Sequence, residues 1–338
     1  MKALVTGANG FLGRHVVAAL VERGHDVRAM VRPATNISRL GWGSEVDIFR
    51  ADLRNSKDLT NAFDGVDVLI HLAATVVGDE DGQLAETAIG TTRLLQAMAT
   101  SQATRLVLAS SFSVYDWEVA RGTLTEDTPL AGNLYQRDGY AVAKTWQERI
   151  TRRAAQDHQW QLTVLRPGFI WGRGNDYLAC LGQSFGPLHV VVGPQTTLPL
   201  THVQNCADAF ALAAERPHAG TFNVVDDESI TAWRYMAAYR RGVQLGGVRV
   251  PVPYRLFLVG THLAQRTSRV IFNGKGKLPS LLVPCRFKAR FKPLRYTNAK
   301  LKAAFEWQPR LSFADAAAQT WPSPQTSPGV AGEGVLQA

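Results

Sequence analysis

The chain has 338 residues, 46% of them hydrophobic, a net charge of +9 and a mean hydropathy of −0.09. That is the composition of an ordinary globular protein, with enough length for a large core and either one enlarged α/β domain or a large domain plus a smaller one. No apolar run approaches the roughly 20 residues of a membrane-spanning helix. The first strand begins so early that a signal or transit peptide is not expected, which points to a cytoplasmic protein. Cys180, Cys206 and Cys285 are far apart, form no CxxC and have no histidine cluster beside them. They read as reduced thiols, and no metal site is expected.

The charge is uneven. From Ser229 to Phe305 there is no Asp or Glu, while 16 Lys and Arg fall in that stretch; the rest of the chain has 21 basic and 28 acidic residues. Such a block favours an anionic partner: a phosphorylated or lipid-linked small-molecule substrate, or peripheral contact with an anionic membrane. Nucleic acid is not expected. The rival explanation is a solvated basic face.

Strand and helix alternate along the first half. Lys2–Thr6 is an apolar run before a glycine turn, and Phe11–Arg23 has apolar residues at helical spacing with Gly24 as its stop. His25–Val31 and Val46–Arg50 read as strands, followed by a helix near Ser56–Phe63. Val68–Leu72 is apolar throughout, as in a strand buried on both faces. A helix over about Gln83–Ser101, a strand at Arg105–Ala109, a helix at Gly139–His158 and a strand at Leu162–Arg166 follow. Phe222–Val225 is a seventh strand. The expected fold is α/β: a Rossmann-type, doubly wound parallel sheet of about seven strands with a smaller C-terminal substrate lobe. Residues 1–172 form the dinucleotide-binding core in this reading, 173–321 the lobe with interleaved core elements, and 322–338 a Pro-, Ser- and Gly-rich disordered tail. The sequence leaves a homodimer open.

Thr6-Gly7-Ala8-Asn9-Gly10-Phe11-Leu12-Gly13 joins the first strand to the first helix. Gly7 and Gly10 let the backbone turn tightly and approach a pyrophosphate; Gly13 lets helix and strand pack closely, and the helix end offers N–H groups. At the end of the second strand, where an acid would bind the adenosine ribose, the chain has Arg32. An arginine there can pair with a 2′-phosphate, so NADP is favoured over NAD. Asp52, before Leu53, can accept from the adenine amino group or cap the next helix.

Tyr140 and Lys144 are four residues apart at the start of a helix, on one face. A neighbouring ammonium should lower the phenol's pKa, so that Tyr140 moves a proton on the substrate oxygen while Lys144 holds the nicotinamide ribose. Ser111, at the end of the fifth strand, can polarise the same oxygen. Glu148, one turn on, pairs with Lys144 or Arg152. His71, at a strand end, reads as packed rather than catalytic. His202 suits substrate contact or lobe packing equally. Trp117 and Trp171 suit a pocket wall or the core.

These segments, with His71-Leu72-Ala73-Ala74, Ser110–Tyr115, Arg166-Pro167-Gly168 and His202–Ala209, resemble the extended short-chain dehydrogenase/reductases over roughly residues 1–225. That superfamily includes NAD-dependent epimerases and dehydratases, 3β-hydroxysteroid dehydrogenases and dihydroflavonol reductases. The resemblance implies a Ser111, Tyr140, Lys144 triad and a cofactor cleft lined by Ala73 and Ala74. It also implies that the backbone after Pro167, at Phe169 and Ile170, holds the carboxamide, with Val203 and Asn205 near the substrate. Two positions depart from the pattern. Thr87 replaces a frequent Asn, and Phe112-Ser113 replace the Asp-Glu pair of sugar dehydratases, which disfavours elimination chemistry. The expected activity is interconversion of a secondary alcohol and a ketone. The alternatives are a nucleotide- or lipid-diphosphate-sugar epimerase with retained NAD, and a non-catalytic dinucleotide sensor.

Overall fold

Alternate residues of the first strand settle the layering. The structure is a computed structural model, and it describes residues 1–55, 59–75, 78–134, 136–272 and 278–322. In β1 (Lys2–Thr6), Ala3 and Val5 pack into one core cluster and Leu4 into another. Successive strand side chains point to opposite faces, so β1 is covered on both sides. Helix α1 (Phe11–Glu22) follows, then β2 (Asp26–Val31), β3 (Val46–Arg50), β4 (Val68–His71), α2 (Glu80–Ala99) and β5 (Arg105–Ala109). A two-residue strand β6 (Thr123–Leu124) precedes α3 (Gly139–Asp157) and β7 (Gln161–Pro167). After the lobe strands β8 (Phe169–Trp171), β9 (Gly182–Phe185), β10 (Leu188–Val192) and β11 (Leu200–His202), the chain returns through α4 (Val203–Glu215) and β12 (Gly220–Val224).

The central sheet has seven strands in the order β12-β7-β5-β4-β1-β2-β3, all parallel. The order reverses between β1 and β4, and a ligand cleft belongs above the strand ends at that point. One cluster joins the sheet to α1 and α4 through Val16, Leu20 and Phe210, and the other joins it to α2 through Leu94 and Met98. The doubly wound sheet expected from the sequence is therefore present. Element ends move by one to three residues; α2 starts earlier because Asp79 caps it, accepting from Gly82 N at 2.6 Å. Of the helix expected near Ser56–Phe63, the described part is a short 3-10 turn at Thr60–Phe63, and Ser56–Asp58 lie outside the described residues. The expected disordered tail lies outside them from residue 323.

The second half has more regular structure than its sequence advertises. Helix α5 (Ala232–Gly242), β13 (Val248–Val252), α6 (Tyr254–Phe272), α7 (Pro284–Phe291), β14 (Arg295–Tyr296), α8 (Ala299–Phe305) and α9 (Phe313–Thr320) complete the chain. Strands β13, β10 and β9 form a small sheet, and β11 pairs with β8. Trp171, Tyr235 and Phe313 centre the lobe's own core, while Phe305 and Trp307 pack back against the main sheet. Both parts of the chain thus share one central sheet.

Helix α3 is fastened by a buried charge. Glu148 accepts from Ser110 Oγ at 2.5 Å, from Arg166 Nη2 at 2.5 Å and Nε at 3.1 Å, and from Arg152 Nη2 at 2.8 Å. Burial opposes its charge, but the Arg166 and Ser110 hydrogen bonds hold the carboxyl below its ordinary value. Arg166 also stands 4.7 Å over the Tyr115 ring, whose hydroxyl donates to Asn223 in β12 at 2.6 Å. Removing one partner of a buried pair strands the other, at about 3–5 kcal/mol; an exposed partner costs less than about 1 kcal/mol. Glu148→Ala should therefore lower the denaturant midpoint by several times the change caused by Arg152→Ala. Equal shifts in the two unfolding curves would contradict a structural role for the Glu148–Arg166 pair.

Candidate active site

The glycine loop is shaped by close approach. Gly7 has φ +69°, and a Cβ there would stand 2.9 Å from Ala73 N. A Cβ on Gly13 would stand 2.1 Å from Gly7 O. Only glycine fits either place. Gly10 caps α1 without a side-chain hydrogen bond, so the first turn presents backbone N–H groups to the cleft mouth. Above the ends of β1 and β4 is a cavity of about 290 Å³ bordered by Gly7, Asn9 and Gly10 of this loop. Arg32, Asp52, Leu53, Ala73 and Ala74 also line it. A side-chain-free cradle, an open helix end and a cleft between them and Arg32 fit a dinucleotide, with its pyrophosphate at α1 and its adenosine toward Arg32. Phe11 and Leu12 open α1 and are half-buried.

The adenosine wall has a second cation that the sequence reading missed. Arg54 donates to Asp52 through Nη2 at 2.8 Å and to Glu86 through Nη1 at 2.7 Å. The hydrogen bonds from Arg54 to Asp52 hold that carboxyl down at about 2. Arg32 also lowers it, which places that cation close enough to act on the same carboxylate. Asp52 is thus a cleft residue oriented by Arg54. The signal for Arg54 was its place two residues after Asp52.

Asp138 caps α3, accepting from Ala141 N at 2.9 Å, and so puts Tyr140 in the first helical turn. Gly139 packs so closely on α2 that a Cβ would stand 2.6 Å from Glu80 Cα. The Tyr140 phenol comes close enough to Ser111, just past the end of β5, for that hydroxyl to act on it. Ser111 also accepts from Ser113 N at 3.1 Å, while its neighbour Ser110 is taken by Glu148. Ser111 and Tyr140 therefore meet as expected. The expected electrostatics do not follow. Burial raises the Tyr140 phenol above its ordinary value, and the Ser111 hydroxyl offsets only part of this. Lys144 Nζ donates instead to Ala109 O at 2.8 Å and to Gln147 Oε1 at 2.9 Å. Burial pushes Lys144 itself down to about 7, which weakens any depression of the phenol. Glu148 pairs with Arg152 and Arg166 rather than with Lys144.

Gln147 was not singled out from the sequence, although it lies one helical turn past Lys144. Its Nε2 reaches Ala73 O at 2.8 Å, His71 Nε2 at 3.0 Å and Thr91 Oγ1 at 3.1 Å. His71 Nδ1 lies 2.7 Å from Thr6 Oγ1. Burial, helped by Lys144, pushes His71 down to about 3, so its imidazole is neutral and structural. Thr87 Oγ1 accepts from Thr75 N at 3.1 Å and so steadies the backbone just beyond Ala74.

On the other side, Pro167 ends β7, and Phe169 and Ile170 form β8 against Leu200 and Thr201. Phe169 N donates to Pro199 O at 2.6 Å, so that N–H is already committed. Val203 is buried at the start of α4 and approaches Gly172. Asn205 departs from the expected substrate role. Its Oδ1 accepts from Leu311 N and its Nδ2 donates to Leu311 O, both at 3.0 Å, and it also bonds Asp226. Its amide ties α4 to the segment before α9. His202 is buried edge-on to Trp171 and pushed down to about 4 by burial and His15. Trp117 and Trp171 are core residues. Cys180, Cys206 and Cys285 are free and buried.

Comparison with known proteins places the chain in a family. The profile of the NAD dependent epimerase/dehydratase family matches residues 3–225. Tetraketide alpha-pyrone reductase 2 of Arabidopsis thaliana is 29% identical over 68% of this chain and 78% of its own. The human sterol-4-alpha-carboxylate 3-dehydrogenase, decarboxylating, is 26% identical over 94% of this chain and 87% of its own. The crystal structure of UDP-glucuronic acid 4-epimerase from Bacillus cereus, in complex with UDP-glucuronic acid and NAD, superposes with a TM-score of 0.70. It is 19% identical, with 95% of this chain and 98% of that one covered. The chain belongs to the NAD-dependent epimerase/dehydratase family.

Proposed function

We propose that the protein is an NAD(P)-dependent oxidoreductase that interconverts a secondary alcohol and a ketone on a small-molecule substrate. The observation that carries this is the meeting of Ser111 with the Tyr140 phenol, with Lys144 one turn along the same helix, next to a cleft that fits a dinucleotide. A bound nicotinamide dinucleotide would supply or accept the hydride. Tyr140 gives the proton to the carbonyl oxygen in reduction and takes it back in oxidation, and Ser111 orients that oxygen. Lys144 presents its amine on the same helix face, held in place by Gln147 and Ala109. The reductase and dehydrogenase names of the two curated relatives support this over epimerisation.

We assign the adenosine end to NADP in preference to NAD. Arg54 is already bound by Asp52 and Glu86, which leaves Arg32 as the better placed cation for a 2′-phosphate. A charge-assisted hydrogen bond contributes about 1.5–3 kcal/mol, roughly tenfold or more in affinity.

Three outcomes are expected. Tyr140→Phe should keep cofactor affinity within about twofold and lose turnover by roughly 10²–10⁴; steady-state rates near wild type would remove Tyr140 from the proton transfer. In cofactor titrations by fluorescence, NADP should bind roughly tenfold more tightly than NAD, with Arg32→Ala closing the gap. A stoichiometric dinucleotide surviving purification would instead favour an epimerase. Because the phenol is raised, it stays protonated through neutral pH, so it is ready to donate but must ionise to accept. Reduction should therefore be flat through neutral pH, while kcat/KM for oxidation should still be rising at about pH 9. An oxidation profile that levels off near neutrality would show the phenol depressed by Lys144 after all.

A further inference from the structure

Helix α6 has its amphipathic pattern turned outward. Leu256, Val259, Leu263 and Val270 recur at spacings that keep one helical face, and Ile271 adjoins them. Their relative exposures are 65%, 66%, 64%, 80% and 65%. The opposite face is the one that packs: Thr261 and Ser268 are buried, and Tyr254 and Phe257 stack on Phe287 of α7 with ring centroids 5.4 and 5.0 Å apart. An ordinary surface helix hides its apolar stripe and exposes its polar one. Here the stripe faces solvent, bordered along one edge by exposed Arg255, His262 and Arg266. A contiguous apolar strip of this kind marks an interaction surface.

The charge of its own segment of the chain selects the partner. Helix α6 lies within the stretch Ser229–Phe305, which has 16 basic residues and no acidic one. No helix among the described residues is long and apolar enough to cross a membrane. We propose that α6 is an interfacial helix that docks the protein on an anionic lipid bilayer. Leu256, Val259, Leu263, Val270 and Ile271 enter the headgroup–acyl boundary, and Arg255 and Arg266 stay at the phosphate level. Apolar burial and attraction to anionic lipid act together in such helices, and the electrostatic part is screened by salt. A second copy of the chain or an acidic protein could cover an apolar stripe too. The bilayer is favoured because the stripe is narrow and straight, with its cations along the border where headgroups would lie.

Flotation of the full-length protein with vesicles tests this. Phosphatidylcholine vesicles with about 30 mol% phosphatidylserine should carry the protein upward, and pure phosphatidylcholine vesicles should carry about tenfold less. About 0.5 M salt should reduce the bound fraction several-fold. Leu256→Glu/Leu263→Glu should reduce it by about tenfold or more, with circular dichroism and turnover unchanged. Protein that stays at the bottom with phosphatidylserine vesicles at low salt overturns the proposal. So does flotation indifferent to the double variant, or a dimer in light scattering that the double variant dissociates.

Discussion

Gln147 Nε2 lies within hydrogen-bond reach of Ala73 O, His71 Nε2 and Thr91 Oγ1. Three buried polar neighbours around one amide group hold it in place. Its Oε1 meanwhile accepts from Lys144, which would otherwise be a buried ammonium with only Ala109 O as partner. His71 continues the chain to Thr6, and Thr6 and His71 are register partners at the ends of β1 and β4. These are the two strands between which the sheet order reverses. The glycine loop and the catalytic helix are therefore joined by one buried polar network. Moving α3 would unpair groups that are costly to leave unpaired away from water.

The same burial sets the proton chemistry. The short path from Tyr140 to Lys144 suggested a phenol made acidic by its neighbour. That expectation treats the ammonium as a full charge in the open. The polar network that holds Lys144 also buries it, and burial pushes both groups toward their neutral forms. A neutral phenol is the state a ketone reductase needs before the reaction. The opposite direction calls for the phenolate, whose charge must then be stabilised within the site. In the function proposed above, direction of turnover is coupled to pH through Tyr140.

How much of this was legible depends on where each signal lies in the chain. Val68–His71 is apolar without interruption because both sheet faces are covered, and that pattern reads directly as a central parallel strand. Gly7 and Gly13 are legible because the close approaches they permit are backbone to backbone, independent of the rest of the sequence. Arg166 and Asn205 were not. Their partners, Glu148 and Leu311, are 18 and 106 residues away, and no local pattern encodes such pairs. The lobe was harder still. Its strands β9, β10 and β13 form a small sheet with Gly182 and Gly193 at its bends, so neither helical nor alternating periodicity lasts long enough to stand out. In α6 the period was present but misleading. A helix that exposes its apolar stripe and buries Thr261 and Ser268 looks, by composition, like a short apolar stretch with basic residues after it.

That helix is not remote from the chemistry. Phe257 of α6 stacks on Phe287 of α7, and α7 reaches the chain just before the catalytic helix. Cys285 Sγ donates to Gln136 O at 2.8 Å, and Arg286 Nη2 donates to Arg137 O at 2.8 Å. Arg137 in turn donates to Tyr115 O and Ser113 O, and so braces the turn that begins at Ser111. Aromatic stacking and then bonds to backbone carbonyls thus connect α6 to the segments that carry Ser111 and Tyr140. A surface helix coupled this way fixes the orientation of the active site relative to whatever α6 rests on. For a bilayer, that means Ser111 and Tyr140 would keep a constant orientation to the surface on which α6 rests.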